Sequence, residues 1–157
     1  MIVLGIDPSL RSTGYGIVEV QDNQVKYLYS GTILTNPKLE LSRRLLEVSK
    51  QINQVIQQYQ VELACCETMF LSKNFKSVMK MAHVRGVIFS ALANHEVEIY
   101  EYSPREIKKS ITGNGNASKD QVKFMITRIL HIDDSIGYDQ SDALAVALTL
   151  VNRKKIV

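Results

Sequence analysis

A chain of 157 residues is long enough to bury a real core as one ordinary domain, and 45% apolar content is that of a globular protein rather than a fibrous or disordered one. No apolar run approaches the roughly 20 residues of a membrane span, and a strand is expected almost from Met1, which argues against a signal peptide and for a cytoplasmic protein. The formal net charge of +3 is too small to name a partner.

Met1–Asp7 reads as an apolar strand, and Gly14–Val20 and Lys26–Thr35 follow as β-branched and aromatic strands around the polar turn Gln21-Asp22-Asn23-Gln24. Leu41, Leu45, Val48, Ile52, Val55 and Ile56 recur at a helical period, so an amphipathic helix is expected over Leu39–Tyr59. Val61–Glu67 is a short apolar run of the kind buried inside a covered sheet. A loop over Thr68–Lys73, a helix from about Asn74 to Asn94 and a strand over Glu98–Tyr102 come next. Ser103-Pro104-Arg105-Glu106 is a capping box with proline at the first helical position, and Ser118-x-x-Gln121 is a second capping box. Between them Thr112-Gly113-Asn114-Gly115-Asn116-Ala117 is a loop, and the last helix runs from about Gln140 to Asn152. The order β-β-β-α-β-α-β-α-α-α predicts an α/β domain over 1–157, with a mixed five-stranded sheet and helices on both faces. Cys65 and Cys66 are adjacent in a strand and point to opposite faces, so they are expected to be free buried thiols.

Four carboxylates carry the chemistry. Asp7 and Glu67 end the two strands expected at the centre of the sheet, and Asp139 and Asp142 lie three apart on the last helix, hence on one face. Each has an ordinary explanation taken singly: an Asp-Pro turn for Asp7, a solvated strand end for Glu67, a helix cap for Asp139 and a first-turn acid for Asp142. Together they form an oxygen-only cage suited to Mg²⁺. Two such ions about 3.5–4 Å apart would activate water and stabilise the leaving oxygen of a phosphodiester, with Mn²⁺ able to substitute. In that arrangement Asp7 bridges, Glu67 and Asp142 each serve one ion, and Asp139 completes a shell or orients the water. Setting the four acids aside leaves 19 basic residues against 12 acidic, a remaining surface near +7 that suits a polyanion.

Several separated stretches are similar to one family. Gly5-Ile6-Asp7-Pro8 with Thr13-Gly14-Tyr15-Gly16, Glu67-x-x-Phe70-x-x-Lys73-Asn74, Tyr102-Ser103-Pro104-Arg105-Glu106-Ile107-Lys108, Gly113-Asn114-Gly115-Asn116-Ala117-Ser118-Lys119 and Asp139-Gln140-x-Asp142-Ala143-Leu144-Ala145 resemble the RuvC family of Holliday-junction resolvases, in order and over roughly residues 1–150. Ser9, where the family usually has glycine, and His83, where glutamine is common, depart from the pattern without touching the acids. The resemblance implies an RNase H-like fold, a homodimer, Mg²⁺, paired symmetric nicks in a four-way DNA junction and a catalytic set of Asp7, Glu67, Asp139 and Asp142. It also brings a RuvA–RuvB branch-migration complex into view as a partner.

Lys73, Lys76 and Lys80 recur at helical spacing, Arg105, Lys108 and Lys109 lie on the capped helix, and Lys119 and Lys123 follow the Gly/Asn loop. A solvated basic face is the usual meaning of such clusters; their place beside the acids favours DNA. Asn114, Asn116 and Ser118 are expected to offer backbone N–H groups to phosphate at a helix start, and Asn74 opens the helix after the Phe70 loop. Lys108 and Lys119 match family lysines of the scissile region. Phe70 is either a packing staple or a base-stacking wedge, and the resemblance favours the wedge. Ala82, Gly86 and Ser90 form a small-residue stripe that suits either the protein's own sheet or a two-fold partner. The competing functions are another RNase H-like nuclease acting on RNA, which the Phe70 loop and the Asn114–Ser118 segment disfavour, and a catalytically silent DNA-binding protein, which would have lost an acid. A two-lobed ATP-binding fold needs a longer chain.

Overall fold

The computed structural model describes residues 1–69 and 74–156. Its elements are β1 (Ile2–Asp7), β2 (Ser12–Gln21), β3 (Gln24–Leu34), α1 (Leu41–Tyr59), β4 (Leu63–Glu67), α2 (Phe75–Asn94), β5 (Glu98–Tyr102), α3 (Pro104–Thr112), α4 (Lys119–Leu130) and α5 (Tyr138–Lys154). The strands lie in the order β3-β2-β1-β4-β5. β1–β2 and β2–β3 pair antiparallel, and β1–β4 and β4–β5 pair parallel, so the expected mixed five-stranded sheet is present.

Alternation along the strands feeds two cores. Val3, Val18 and Cys65 face α3, α4 and α5, whereas Leu4, Ile6, Ile17, Ile33 and Cys66 face α1 and α2. Cys65 and Cys66 are therefore buried on opposite faces, and both are free. Helix α1 buries Val48, Ile52, Val55 and Ile56 and leaves Leu41 and Leu46, in its first turns, exposed. Helix α5 is buried over most of its circumference because it lies across the middle of the sheet. Among the described residues no helix is long and apolar enough to cross a membrane.

Boundaries differ from expectation where local chemistry is tighter than composition suggests. The first hairpin closes on Asp22 and Asn23 alone, at φ 50° and 60°, a conformation that short polar side chains tolerate; β2 and β3 are correspondingly longer. Both expected capping boxes form: Glu106 N–H donates to Ser103 Oγ at 3.3 Å and Gln121 N–H to Ser118 Oγ at 3.2 Å. Helix α5 begins earlier than Gln140, because Gly137 N–H donates to Gln140 Oε1 at 2.8 Å. Asp139 is thus a first-turn residue rather than a cap, and its carboxylate is released for other use.

Candidate active site

The register of β1 against β4 sets Ile6 opposite Cys66, so Asp7 and Glu67 leave neighbouring strand ends side by side. Asp7 shares a face with Val3 and Gly5, and Glu67 shares one with Cys65, so both carboxylates rise toward α5. What brings α5 down to them is glycine. Gly5 and Gly16 are cross-strand partners beneath the helix. A Cβ on Gly5 would sit 2.9 Å from the Ala147 Cβ and closer still to the Ala143 carbonyl, and one on Gly16 would sit 2.6 Å from Leu144 Cδ2. Gly14, the β2 partner of Asp7, meets the backbone of Asp139, whose carbonyl carbon would lie 2.6 Å from an added Cβ. With no side chains in the way, the first turns of α5 rest directly over the end of β1.

Asp7, Glu67 and Asp142 consequently line one cavity of about 150 Å³, together with Lys119 at the start of α4 and Lys108 of α3. Asp139 stands at its margin: Ser12 Oγ donates a hydrogen bond to the Asp139 carboxylate. Its field still reaches Asp7. Burial first, then repulsion from Asp142, Glu67 and Asp139, pushes the Asp7 carboxyl from 3.8 up to about 7. Burial and the Asp142 charge raise Glu67 as well. One cation answers this field directly, for Lys119 Nζ lies 3.0 Å from Asp142 Oδ2 and its ammonium is held above the ordinary lysine value by that hydrogen bond.

A crowd of carboxylates that hold one another's protons fits a hard divalent cation, which would offset the repulsion with oxygen ligands alone. Among the described residues no three acidic, histidine or cysteine side chains are already closed around a single point. The arrangement is an open acidic cavity into which ligands can converge.

The other expected site residues divide. Lys108 and Lys119 join the acids. Arg105, Asn114 and Asn116 instead line a separate cleft on the outer side of α3, with Lys109 and Arg153. The backbone donors expected to meet phosphate are largely taken: Asn114 N–H donates to Thr112 Oγ1, Asn116 N–H to Asn114 Oδ1, Ala117 N–H to the Asn114 carbonyl and Ser118 N–H to Gln121 Oε1. Ser118 and Asn74 act as caps, Asn74 Oδ1 accepting from Ser77 N–H at 3.2 Å. Phe70 and Lys73 lie outside the described residues.

Two supporting residues escaped the sequence reading. Ser12 holds Asp139, and Arg85, buried on α2, donates to the Glu67 carbonyl and to the Glu101 carboxylate, anchoring the end of β4. The Arg85 guanidinium also lies 4.8 Å from the centre of the Phe89 ring. The available signal was an arginine within the apolar stretch Val84–Phe89, since a charge on a buried helix face requires a partner. For Ser12 there was none.

Residues 3–150 match the family model of the crossover junction endodeoxyribonuclease RuvC. The crossover junction endodeoxyribonuclease RuvC of Ehrlichia chaffeensis is 39% identical over 155 residues, covering 99% of both chains. That of Legionella pneumophila (strain Lens) is 42% identical over 147 residues, covering 94% of this chain and 84% of its own. Among solved structures, Thermus thermophilus RuvC superposes with a TM-score of 0.90, and the same protein in complex with a Holliday junction substrate with 0.92, each at 26% identity over 99% of this chain. The fowlpox virus Holliday junction resolvase, at 14% identity and TM-score 0.57, shares the fold. The mixed sheet with its two helical layers is the RNase H-like fold, and the chain belongs to the RuvC family of crossover junction endodeoxyribonucleases.

Proposed function

We propose that this chain is a single-domain nuclease that resolves four-way DNA junctions by paired symmetric nicks, with Asp7, Glu67, Asp139 and Asp142 as its catalytic set. The observation that carries the reading is the convergence of Asp7, Glu67 and Asp142 on one cavity rimmed by Lys108 and Lys119. Family membership supplies the substrate, since the related Thermus protein is known bound to a Holliday junction.

Asp7, Glu67 and Asp142 are the residues to hold Mg²⁺, or Mn²⁺ in its place, with two ions per site. When bound, the metal supplies Lewis-acid activation of the attacking water and charge neutralisation at the leaving oxygen. The chain's own residues do the rest. Ser12 donates to the Asp139 carboxylate and so restrains it beside the site. Lys119 partly neutralises Asp142 in the free protein, and Lys108 with Lys119 presents positive charge to the scissile phosphate. Arg85 keeps Glu67 in place from behind. Arg105, Lys109 and Arg153 offer backbone contacts on the outer side of α3.

Two cuts in a pseudo-two-fold substrate call for two copies of the site, and α2 offers the interface. Ala82, Gly86 and Ser90 line a groove of about 500 Å³ against α1, and a Cβ on Gly86 would meet nothing within 4 Å. The small-residue stripe therefore faces outward rather than into the protein's own sheet. Exposed Phe75, Met79 and Leu46 widen the apolar margin. The working protein is cytoplasmic, with a RuvA–RuvB branch-migration complex as a further partner; addition of that motor should stimulate cutting, and indifference to it removes the partner.

The test compares a four-way DNA junction, a plain duplex and an RNA–DNA hybrid, in Mg²⁺ and in EDTA, for wild type, Asp7→Asn and Glu67→Gln. Wild type should nick the junction in opposite strands only with metal, and both variants should bind it without cutting. Preference for the hybrid would instead favour an RNA-directed nuclease. The same preparation should sediment as a dimer at micromolar concentration; monomer alone refutes the interface.

A further inference from the structure

The loop after Asp7 serves two sides of the sheet. Ser12 turns toward Asp139, while Leu10 packs into the core on the α1–α2 side. On that second side Ser9 and Arg11 face α2 across a cleft of about 380 Å³, whose walls also carry Arg44, Ser77 and Lys80. Three cations line this cleft and no carboxylate does, among the described residues. None of the three forms an ion pair with a carboxylate among those residues either.

Arg44 is built into place. Its Nε donates to Thr35 Oγ1 at 2.9 Å and its Nη2 to the Leu10 carbonyl at 3.1 Å, which orients the guanidinium and uses two of its five donors. A merely structural arginine would need those two bonds but not Arg11 and Lys80 as exposed cationic neighbours. Like charges gathered without a counter-ion lower stability, and the arrangement makes sense when an anion completes it. The cleft opens at the same end of the sheet as the acidic cavity but beside the opposite helical layer, next to the start of the proposed dimer helix.

We propose that this cleft is a second backbone grip, in which Arg11, Arg44 and Lys80 hold a non-scissile phosphodiester of the DNA junction. The proposal rests on the junction-resolving reading and adds positioning residues to it. Phosphate is the anion that fits, because Arg44 presents an oriented fork and the substrate carries a phosphate at every nucleotide.

Arg11 and Lys80 are exposed, so their substitution leaves the core untouched, whereas Arg44 is spared because it ties the loop to β3. Junction binding is followed by fluorescence anisotropy with Ca²⁺ replacing Mg²⁺, across a salt series, for wild type, Arg11→Gln, Lys80→Gln, the double variant and Arg11→Lys. Each neutral substitution should lower the slope of log affinity against log salt by about one and the double by about two, with Arg11→Lys retaining the wild-type slope. A double variant with wild-type slope and affinity overturns the grip. If wild type itself does not prefer the junction to plain duplex, the junction reading fails instead, so the two failures are distinct.

Discussion

Replacing Asp7 by asparagine should make the metal-free protein more stable while destroying its cutting. Asp7 binds its proton more tightly in the folded chain, at about 7, than in the unfolded chain, near 3.8. The folded state therefore holds the extra proton between those values, and stability falls as pH rises through the window and levels off above it. At about 1.4 kcal/mol for each factor of ten in the ionisation constant, ionised Asp7 costs the fold about 4 kcal/mol at pH 8 and about 2 kcal/mol at pH 5. Asparagine keeps the shape and removes the charge, so Asp7→Asn should gain up to those amounts in urea unfolding with EDTA, and the gain should shrink by about 2 kcal/mol between pH 8 and pH 5. Mg²⁺ should then stabilise wild type and leave the variant nearly unmoved. An Asp7→Asn protein no more stable than wild type at pH 8 in EDTA, or a gain indifferent to pH, refutes the claim that burial of the Asp7 charge, together with repulsion from its neighbouring carboxylates, costs the fold stability.

The same field governs metal uptake: because Asp7 must lose its proton, the Mg²⁺ concentration giving half-maximal junction cleavage should rise about tenfold per pH unit below 7, and a flat requirement between pH 7 and pH 6 counts against Asp7 as a ligand. Gly14→Ala drives a methyl into the Asp139 backbone and should displace the first turn of α5, costing roughly 1–3 kcal/mol and more than tenfold in cleavage, measured by urea unfolding and single-turnover nicking; wild-type values for both would mean α5 is not seated on the glycines.

The strands, the helical periods, both capping boxes and the acids that end β1 and β4 were legible in the sequence, because each depends on residues a few positions apart: alternation, the 3.6 period and side-chain-to-backbone bonds. The last helix was read with Asp139 open to a capping role, since a Gly-to-Gln bond at Gly137 leaves almost no pattern. Phosphate contact was expected from the Asn114–Ser118 backbone, whereas the loop spends those N–H groups on its own turns. Tertiary structure alone decided that Gly5, Gly14 and Gly16 form a floor for α5, that Ser12 reaches Asp139 127 positions away, and that Arg11 and Arg44 share a cleft. Local free energies select elements within a few residues. Which face meets which, and how closely two backbones approach, is set by atoms that only the folded chain makes neighbours.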